Sequence, residues 1–420
     1  MQTTISINDL DTYLVGGAVR DKLLNREVTE QDFLVIGATA AQMLSLGFTP
    51  VGKDFPVFLH PKTKDEYALA RTERKQGQGY TGFVCYAEPD VTIEQDLLRR
   101  DLTVNAMAQD KDGNIIDPYN GQQDLSDRIL RHVSDAFEED PLRVLRVARF
   151  AARYYQYGFS IASETLELMS KISNSGELAT ISAERIWKEM QRSLTEPNPE
   201  VFFEVLRQCQ ALEKIWPSLD ALWDVPNPAK WHPEICTGVH TMMVLKSAVE
   251  KSGATTIRFA ALCHDLGKGL TPQERLPSHP GHEKAGLDLV EQICNQLKVP
   301  NQYKSLALKA CEYHLHCHKA FELKATTILR MFNQLDVWRK VDEFEDFLVV
   351  CHADFNGRLG NEKAPYPQRE FLSEISGACR KIQARPFVEQ GFKGKDIKLQ
   401  IEQARLAKIV ELKEELEDRK

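Results

Sequence analysis

The chain has 420 residues, of which 42% are hydrophobic and 27% charged, with a net charge of −8; that length exceeds one ordinary core and predicts two to four domains. No run approaches the roughly 18 to 20 apolar residues of a membrane helix, and the opening "MQTTISINDLDT" lacks the basic and then apolar layout of a signal peptide. Nine cysteines without a Cys-x-x-Cys pair read as reduced thiols filling a core, so a cytosolic location is expected, with no membrane partner. The negative charge gives no overall sign of nucleic-acid binding, but phosphate contacts need only a local basic face.

The segment before Tyr13 carries no motif and is expected to be partly disordered. Residues 13–137 alternate short β-rich runs ("YLVGG", "DFLVIG", "FPVFLH", "EYALART", "NIIDPY") with short helical stretches such as "TAAQMLSLG", so a mixed α+β head is expected over residues 1–138. From Glu138 onward the apolar spacing is helical, and the "WDVPNPAKWHPEICTG" stretch is the best internal boundary. The expected divisions are therefore a helical neck over 139–224, a third region over 225–365 and a C-terminal helical segment over 366–420. In that last segment Ile397, Ile401, Ile409 and Leu412 fit one packing face, followed by a charged, frayed tail.

The first chemistry-bearing stretch is "YLVGGAVRDKLLNREVTEQDFLVIG". Gly16 and Gly17 let backbone approach phosphate oxygens, the helix opening near Ala18 points its N-terminus at them, and Arg20 offers positive charge. Glu30 and Asp32, two apart on an expected strand, project from one face and suit shared Mg²⁺ ions. Glu66, on the "EYALAR" strand, is a candidate third carboxylate, with a plain surface role the simpler alternative. Further along, "FEEDPLRVLRVARFAARY" places Arg143, Arg146, Arg149 and Arg153 on one helix face, opposite Leu145, Ala148, Ala151 and Ala152. A bland surface helix would mix acids into such a row. Asp140 lies three residues before Arg143, so acceptors and donors can face one base together.

These motifs, with "VGKDFPVFLHP", "EYALARTERK", "RRDLTVNAMAQD" and "IIDPYNGQQDL", resemble the bacterial tRNA nucleotidyltransferases, the CCA-adding enzymes within the polymerase-β-like nucleotidyltransferases. The resemblance implies a polymerase-β-like head followed by an all-helical body. It also implies template-independent addition of CCA to tRNA 3′ ends from CTP and ATP, with Mg²⁺ on Glu30 and Asp32. Gly17 and Arg20 would contact the triphosphate, Arg100 and Asp101 the phosphate and ribose, Asp140 and Arg143 the base, and Arg146 and Arg149 would complete the nucleotide site. The chain departs from the family at one position: Glu30 stands where Asp-x-Asp is usual. The extra methylene can move a metal by about an ångström, and misplacement on that scale costs about 10²-fold in rate, so a slower or Mn²⁺-preferring transferase is expected.

The helical half adds "TGVHTMMVL", "RFAALCHDLGKGL", "PGHEKAG", "CEYHLHCHKAF" and "VVCHADFNGR". Imidazoles and carboxylates in such a set suit a divalent transition metal that can generate hydroxide for phosphoester hydrolysis. The set resembles the HD-domain phosphohydrolases. His240, His264, Asp265 and Asp354 are the expected ligands, His264 and Asp265 belong to the reactive centre, and His282 and His314 lie near the substrate phosphate or a second ion. Lys268 either assists with phosphate or is a solvated helix-end lysine. The CCA-adding enzymes that carry an HD domain are multifunctional, which implies phosphatase, 2′-nucleotidase and 2′,3′-cyclic phosphodiesterase activities, often favoured by Ni²⁺, in a monomer or homodimer.

Three other readings compete with this one. An HD hydrolase with an impaired head is suggested by Glu30 and opposed by Asp32, Arg100, Asp140 and the arginine row. A poly(A) polymerase usually ends in a basic extension, whereas this tail is mixed in sign. A non-catalytic tRNA-binding protein would have little use for either metal constellation.

Overall fold

The computed structural model describes residues 6–28, 30–51, 56–75 and 83–417. Parts of the expected N-terminal disorder, of the "VGKDFPVF" motif and of the charged tail fall at residues 1–5, 52–55 and 418–420 and lie outside the described residues. The chain divides into two compact units, Met1–Ile215 and Trp216–Lys420.

The first unit is built on a seven-stranded sheet. Its strands are β1 (Asp11–Val15), β2 (Asp32–Ile36), β3 (Thr49–Val51), β4 (Val57–Leu59) and β5 (Glu66–Leu69), and, after a separate hairpin of β6 (Thr72–Lys75) and β7 (Phe83–Tyr86), β8 (Ala108–Gln109) and β9 (Ile115–Ile116). The order across the sheet is β3-β4-β5-β2-β1-β8-β9. β2 is a continuous apolar run because both its faces are covered. Val35 joins a cluster with Met43, Phe48, Phe58 and Leu69, while Leu34 points the other way into Val15, Val91, Leu97 and Ala106.

Antiparallel pairing of β1 with β2 runs from Asp11 opposite Ile36 to Val15 opposite Asp32. It stops there because Gly16 turns the chain away at φ +67°, a conformation that glycine adopts without strain. A Cβ at Gly16 would also lie 2.9 Å from Arg100 Nη1. The strand therefore begins at Asp32, and Glu30 sits in the exposed connection before it. This corrects the expectation of two acids on one strand. The parallel neighbour β5 sets Glu66 directly opposite Asp32.

After the head, helices Leu142–Tyr154, Ser163–Asn174, Ala183–Ser193 and Pro199–Gln208 follow. Among the described residues beyond Glu138, the strand content is the pair Ser160–Ile161 with Ile129–Leu130.

The second unit is helical. Thr237–Lys251, Thr255–Cys263, His282–Gln296, Asn301–His318 and Val341–Asn356 enclose a core that includes Leu245, Phe259, Leu262, Leu306, Phe344, Phe347 and Leu348. The C-terminal helix Lys395–Glu417 buries Ile409 and Leu412 as its apolar spacing predicts. No described helix is long and apolar enough to cross a membrane.

Two features give tests of this packing. A Cβ at Gly267, in the short turn Leu266–Leu270, would lie 2.0 Å from the His282 carbonyl oxygen and 2.6 Å from the Gly286 nitrogen. Both are backbone atoms, so Gly267→Ala should cost about 1–3 kcal/mol as overpacking, read as a lower urea midpoint with unchanged slope. His352 stacks on Tyr366 at 5.3 Å, and burial, reinforced by Lys251 and Arg369, lowers its pKa to about 4. The neutral ring is thus favoured in the folded chain, and between an unfolded value of about 6.5 and about 4 the unfolded chain binds more protons. His352 should therefore withdraw stability as pH falls through that window, and urea titrations at pH 7.5, 6 and 5 should show a flatter decline for His352→Phe.

Candidate active sites

In the head, Asp32 retains solvent access at the start of β2. Crowding by surrounding protein raises its carboxyl pKa, Arg100 opposes that shift, and Glu30 adds to it. Asp32 thus feels both the negative charge of Glu30 and the positive charge of Arg100. Carboxylate oxygens such as those of Glu30 and Asp32 suit a hard divalent cation. Arg100 is held by Asp96, at 3.2 Å, and Asp96 is fully buried.

Gly17 begins the helix Gly17–Leu23, and Arg20 on it is buried, donating to the Asn105 side chain and to Asp21 at 3.0 Å. The ring of Tyr154 lies 5.1 Å from the Arg20 guanidinium. Asn105 also donates to Asp101 at 3.0 Å, and Arg146 binds the other Asp101 oxygen at 2.7 Å. Burial alone would raise the Asp101 carboxyl, but Arg146 and Asn105 hold it well below the usual range. One chain of hydrogen bonds thus joins Arg20, Asn105, Asp101 and Arg146.

The arginine row of Leu142–Tyr154 is answered by acids from elsewhere in the unit. Arg149 meets Glu189 at 2.7 Å with both side chains buried, and Arg153 meets Glu196 at 2.8 Å. Arg143 does not face solvent. Its guanidinium donates to the carbonyls of Ala136 at 2.6 Å and Arg99 at 2.5 Å. Asp140 is bound by Arg185 at 2.8 Å. The residues expected to read a base together are each engaged with other groups in this structure.

In the second unit all six expected residues converge. His264, His282 and His314 each place Nδ1 against a backbone carbonyl, of Ala261 at 2.7 Å, His279 at 2.7 Å and Ala310 at 2.9 Å. Such a bond fixes the ring hydrogen on Nδ1 and leaves Nε2 as a lone-pair donor. The three Nε2 atoms surround Asp265, His264 at 3.1 Å from Oδ2 and His282 and His314 at 3.3 and 3.5 Å from Oδ1. His240 Nε2 lies 3.1 Å from Asp354 Oδ1. His264 Nε2, His282 Nε2 and Asp265 Oδ1 are buried without hydrogen-bond partners, a costly arrangement that a cation would relieve. Among the described residues three groups have ligand atoms within 4.8 Å of one another: His232 with Glu234 and His240, His240 with His264 and Asp265, and Asp265 with His282 and His314. The residues fit a divalent metal, and the two Asp265 oxygens face different groups.

Burial would raise both carboxyls, but Asp265 is held well below its ordinary range by His264 and Lys268, and Asp354 by His318 and Arg358. Lys268 is buried, 2.7 Å from Asp265 Oδ2 and 3.0 Å from Asn227 Oδ1. It is therefore no solvated helix-end lysine.

Two residues of this centre escaped sequence reasoning. Glu234, inside the stretch read as an internal boundary, lies 3.0 Å from His240 Nδ1 and 2.9 Å from His232. His318 lies 2.5 Å from Asp354 Oδ2. The available signal was spacing, since His318 falls four residues after His314 and so on the same helix face.

A carboxylate-bearing nucleotidyltransferase-type head and a histidine and aspartate centre of HD type define the class. The Poly A polymerase head domain matches residues 12–131, the probable RNA and SrmB-binding site of polymerase A residues 158–222, and the HD domain residues 237–336. The multifunctional CCA protein of Pseudoalteromonas atlantica is 59% identical over 95% of this chain and 99% of its own length, and that of Vibrio vulnificus 55% identical over 95% and 98%. The chain belongs to the multifunctional CCA protein family. It also shares its fold with the Thermotoga maritima CCA-adding enzyme complexed with tRNA-CCA (TM-score 0.63, 19% identity, 98% of this chain and 92% of that one). The Bacillus stearothermophilus CCA-adding enzyme in complex with CTP is similar in fold too (TM-score 0.61, 22% identity, 98% and 95%).

The Arg149–Glu189 pair gives a direct test. Glu189→Gln would leave the buried Arg149 guanidinium with only the Glu196 carboxylate, 3.9 Å away, as opposing charge, and loss of one partner of a buried pair costs up to about 3–5 kcal/mol. The expected result is a marked fall in the urea midpoint.

Proposed function

We propose that this protein rebuilds the 3′-terminal CCA of tRNA from CTP and ATP without a nucleic-acid template. We propose further that its HD centre hydrolyses terminal and 2′,3′-cyclic phosphates, including 2′-phosphates, at RNA ends. The observation that carries the first part is the Glu30 and Asp32 pair faced by Arg100, in a chain 59% identical to a multifunctional CCA protein over almost its full length. The second part is supported by the convergence of His240, His264, Asp265 and Asp354.

In the head, Glu30 and Asp32 would hold Mg²⁺, which when bound supplies charge for the attacking 3′-hydroxyl and the leaving pyrophosphate. Arg100 and Arg20, with the backbone at Gly17, bind the triphosphate, and Asp101 with Arg146 and Arg149 complete the nucleotide site. Asp140 and Arg143 select cytosine and adenine, which requires exchange of the Arg185 and backbone bonds they make here. Because Glu30 lies ahead of β2, its longer side chain is not bound to strand spacing and can meet an ion that an aspartate would reach on a strand. In the HD centre the four ligands would hold a divalent transition ion, with Ni²⁺ the proposed choice, which supplies a hydroxide nucleophile. His282, His314 and Lys268 bind the substrate phosphate, or the two histidines share a second ion. A phosphorylated or cyclic end has no free 3′-hydroxyl, so the hydrolase yields the substrate that the transferase needs. The proposed setting is the cytoplasm.

Incubation with a tRNA lacking its CCA end should add two residues with CTP alone and three, no more, with CTP and ATP. Asp32→Asn should abolish extension yet keep phosphate release from 3′-phosphorylated RNA, and Asp265→Asn the reverse. Phosphate release with no extension by the wild type would favour the alternative, a hydrolase with an impaired head. Equal rates for wild type and Glu30→Asp in Mg²⁺ would show that the glutamate carries no penalty.

A further inference from the structure

Asp354 is buried near the end of helix Val341–Asn356, and its two oxygens have different neighbours. Oδ1 turns to His240 Nε2 at 3.1 Å and His264 Nε2 at 3.8 Å. Oδ2 lies 2.5 Å from His318 Nε2. An ionised carboxylate only accepts hydrogen bonds, so the contact calls for a hydrogen on His318 Nε2; His240 Nε2 also faces Asp354, but its Nδ1 meets the Glu234 carboxylate at 3.0 Å, which claims the hydrogen of that ring. The His318 arrangement is opposite to that of His264, His282 and His314, whose Nδ1 atoms face carbonyls. Those three rings offer bare Nε2 lone pairs, while His318 offers an N–H. It is placed to donate to a ligand and not to be one.

The other side of the ring is fixed as well. His318 Nδ1 lies 2.8 Å from the Tyr366 hydroxyl, whose oxygen is 3.3 Å from Cys317 Sγ. Tyr366 is 3% exposed, packed between the rings of His352 at 5.3 Å and Phe355 at 5.2 Å. A side chain so enclosed has little freedom to swing, and it holds the imidazole plane in turn.

We propose that His318, oriented by Tyr366, is a positioning residue that fixes the Asp354 carboxylate so that only Oδ1 faces the metal centre. The inference rests on the reading of Asp354 as a metal ligand. Partners of this kind commonly set metal affinity by 10–100-fold.

The test is a Co²⁺ titration of the full-length protein, followed by visible absorption, for wild type, His318→Leu, His318→Gln and Tyr366→Phe. A glutamine amide can still donate to Asp354, and leucine cannot. Expected are a roughly 10–100-fold weaker Co²⁺ affinity for His318→Leu, partial recovery in His318→Gln, a several-fold loss in Tyr366→Phe, and a saturated cobalt spectrum in His318→Gln like that of the wild type. Should His318→Leu not fold, judged by far-ultraviolet circular dichroism and by CCA addition in the head, the Gln and Phe variants decide. Unchanged affinity in the variants would overturn the proposal. A saturated spectrum that stays altered in His318→Gln, which can still donate to Asp354, would also overturn it, by making His318 itself a ligand. A wild type that binds no Co²⁺ would overturn the metal reading and this proposal together, an outcome distinct from the other two.

Discussion

Asp265 is 1% exposed with its carboxyl held well below the ordinary carboxylate range, and the arrangement of the helical unit follows from the need to answer its charge. A carboxylate removed from water is unfavourable by several kcal/mol unless opposite charge and hydrogen-bond donors surround it. Lys268 supplies one neighbour three residues later and His264 another one residue before, and His282 and His314 from two other helices supply the rest. Each ring is held by a backbone carbonyl of its own segment, so the helices cannot rotate without breaking a bond at the centre. The glycine contact between Gly267 and the helix His282–Gln296 brings the two sides together closely enough for these distances to exist.

The head solves a similar problem with arginines. Helix Leu142–Tyr154 lays cationic side chains against Asp101, Glu189 and Glu196, which places a polar network where a bundle of this size would ordinarily bury leucine. Replacement of such pairs by apolar residues is often neutral or stabilising, so their presence argues for a role beyond stability. Positive charge already dehydrated and oriented needs little reorganisation when it meets a phosphate.

Much of this was legible in the sequence because it rests on local pattern. Strand alternation around "DFLVIG", the glycine turn and the helical spacing after Glu138 each follow from a few neighbouring residues. The six histidine and aspartate positions were visible because metal-binding side chains are rare on apolar helix faces. What escaped depended on distant partners. Nothing near Arg143 or Asp140 in sequence indicates that they would bond Arg99 and Arg185. Glu234 was hidden in a proline-rich stretch whose composition reads as a connector. The start of β2 at Asp32 is set by where β1 turns away, a constraint that belongs to the neighbouring strand.

That last feature separates positions 30 and 32 in their freedom to vary. Asp32 is tied on both sides, opposite Val15 in one ladder and Glu66 in another, so its Cα position is dictated by the sheet and a longer acid there would push its carboxylate outward. Position 30 belongs to no ladder among the described residues, so the sheet does not dictate its Cα position. Drift between aspartate and glutamate is accordingly a matter for the loop alone, and a lineage can accept it at residue 30 without retuning the strands that carry its partner.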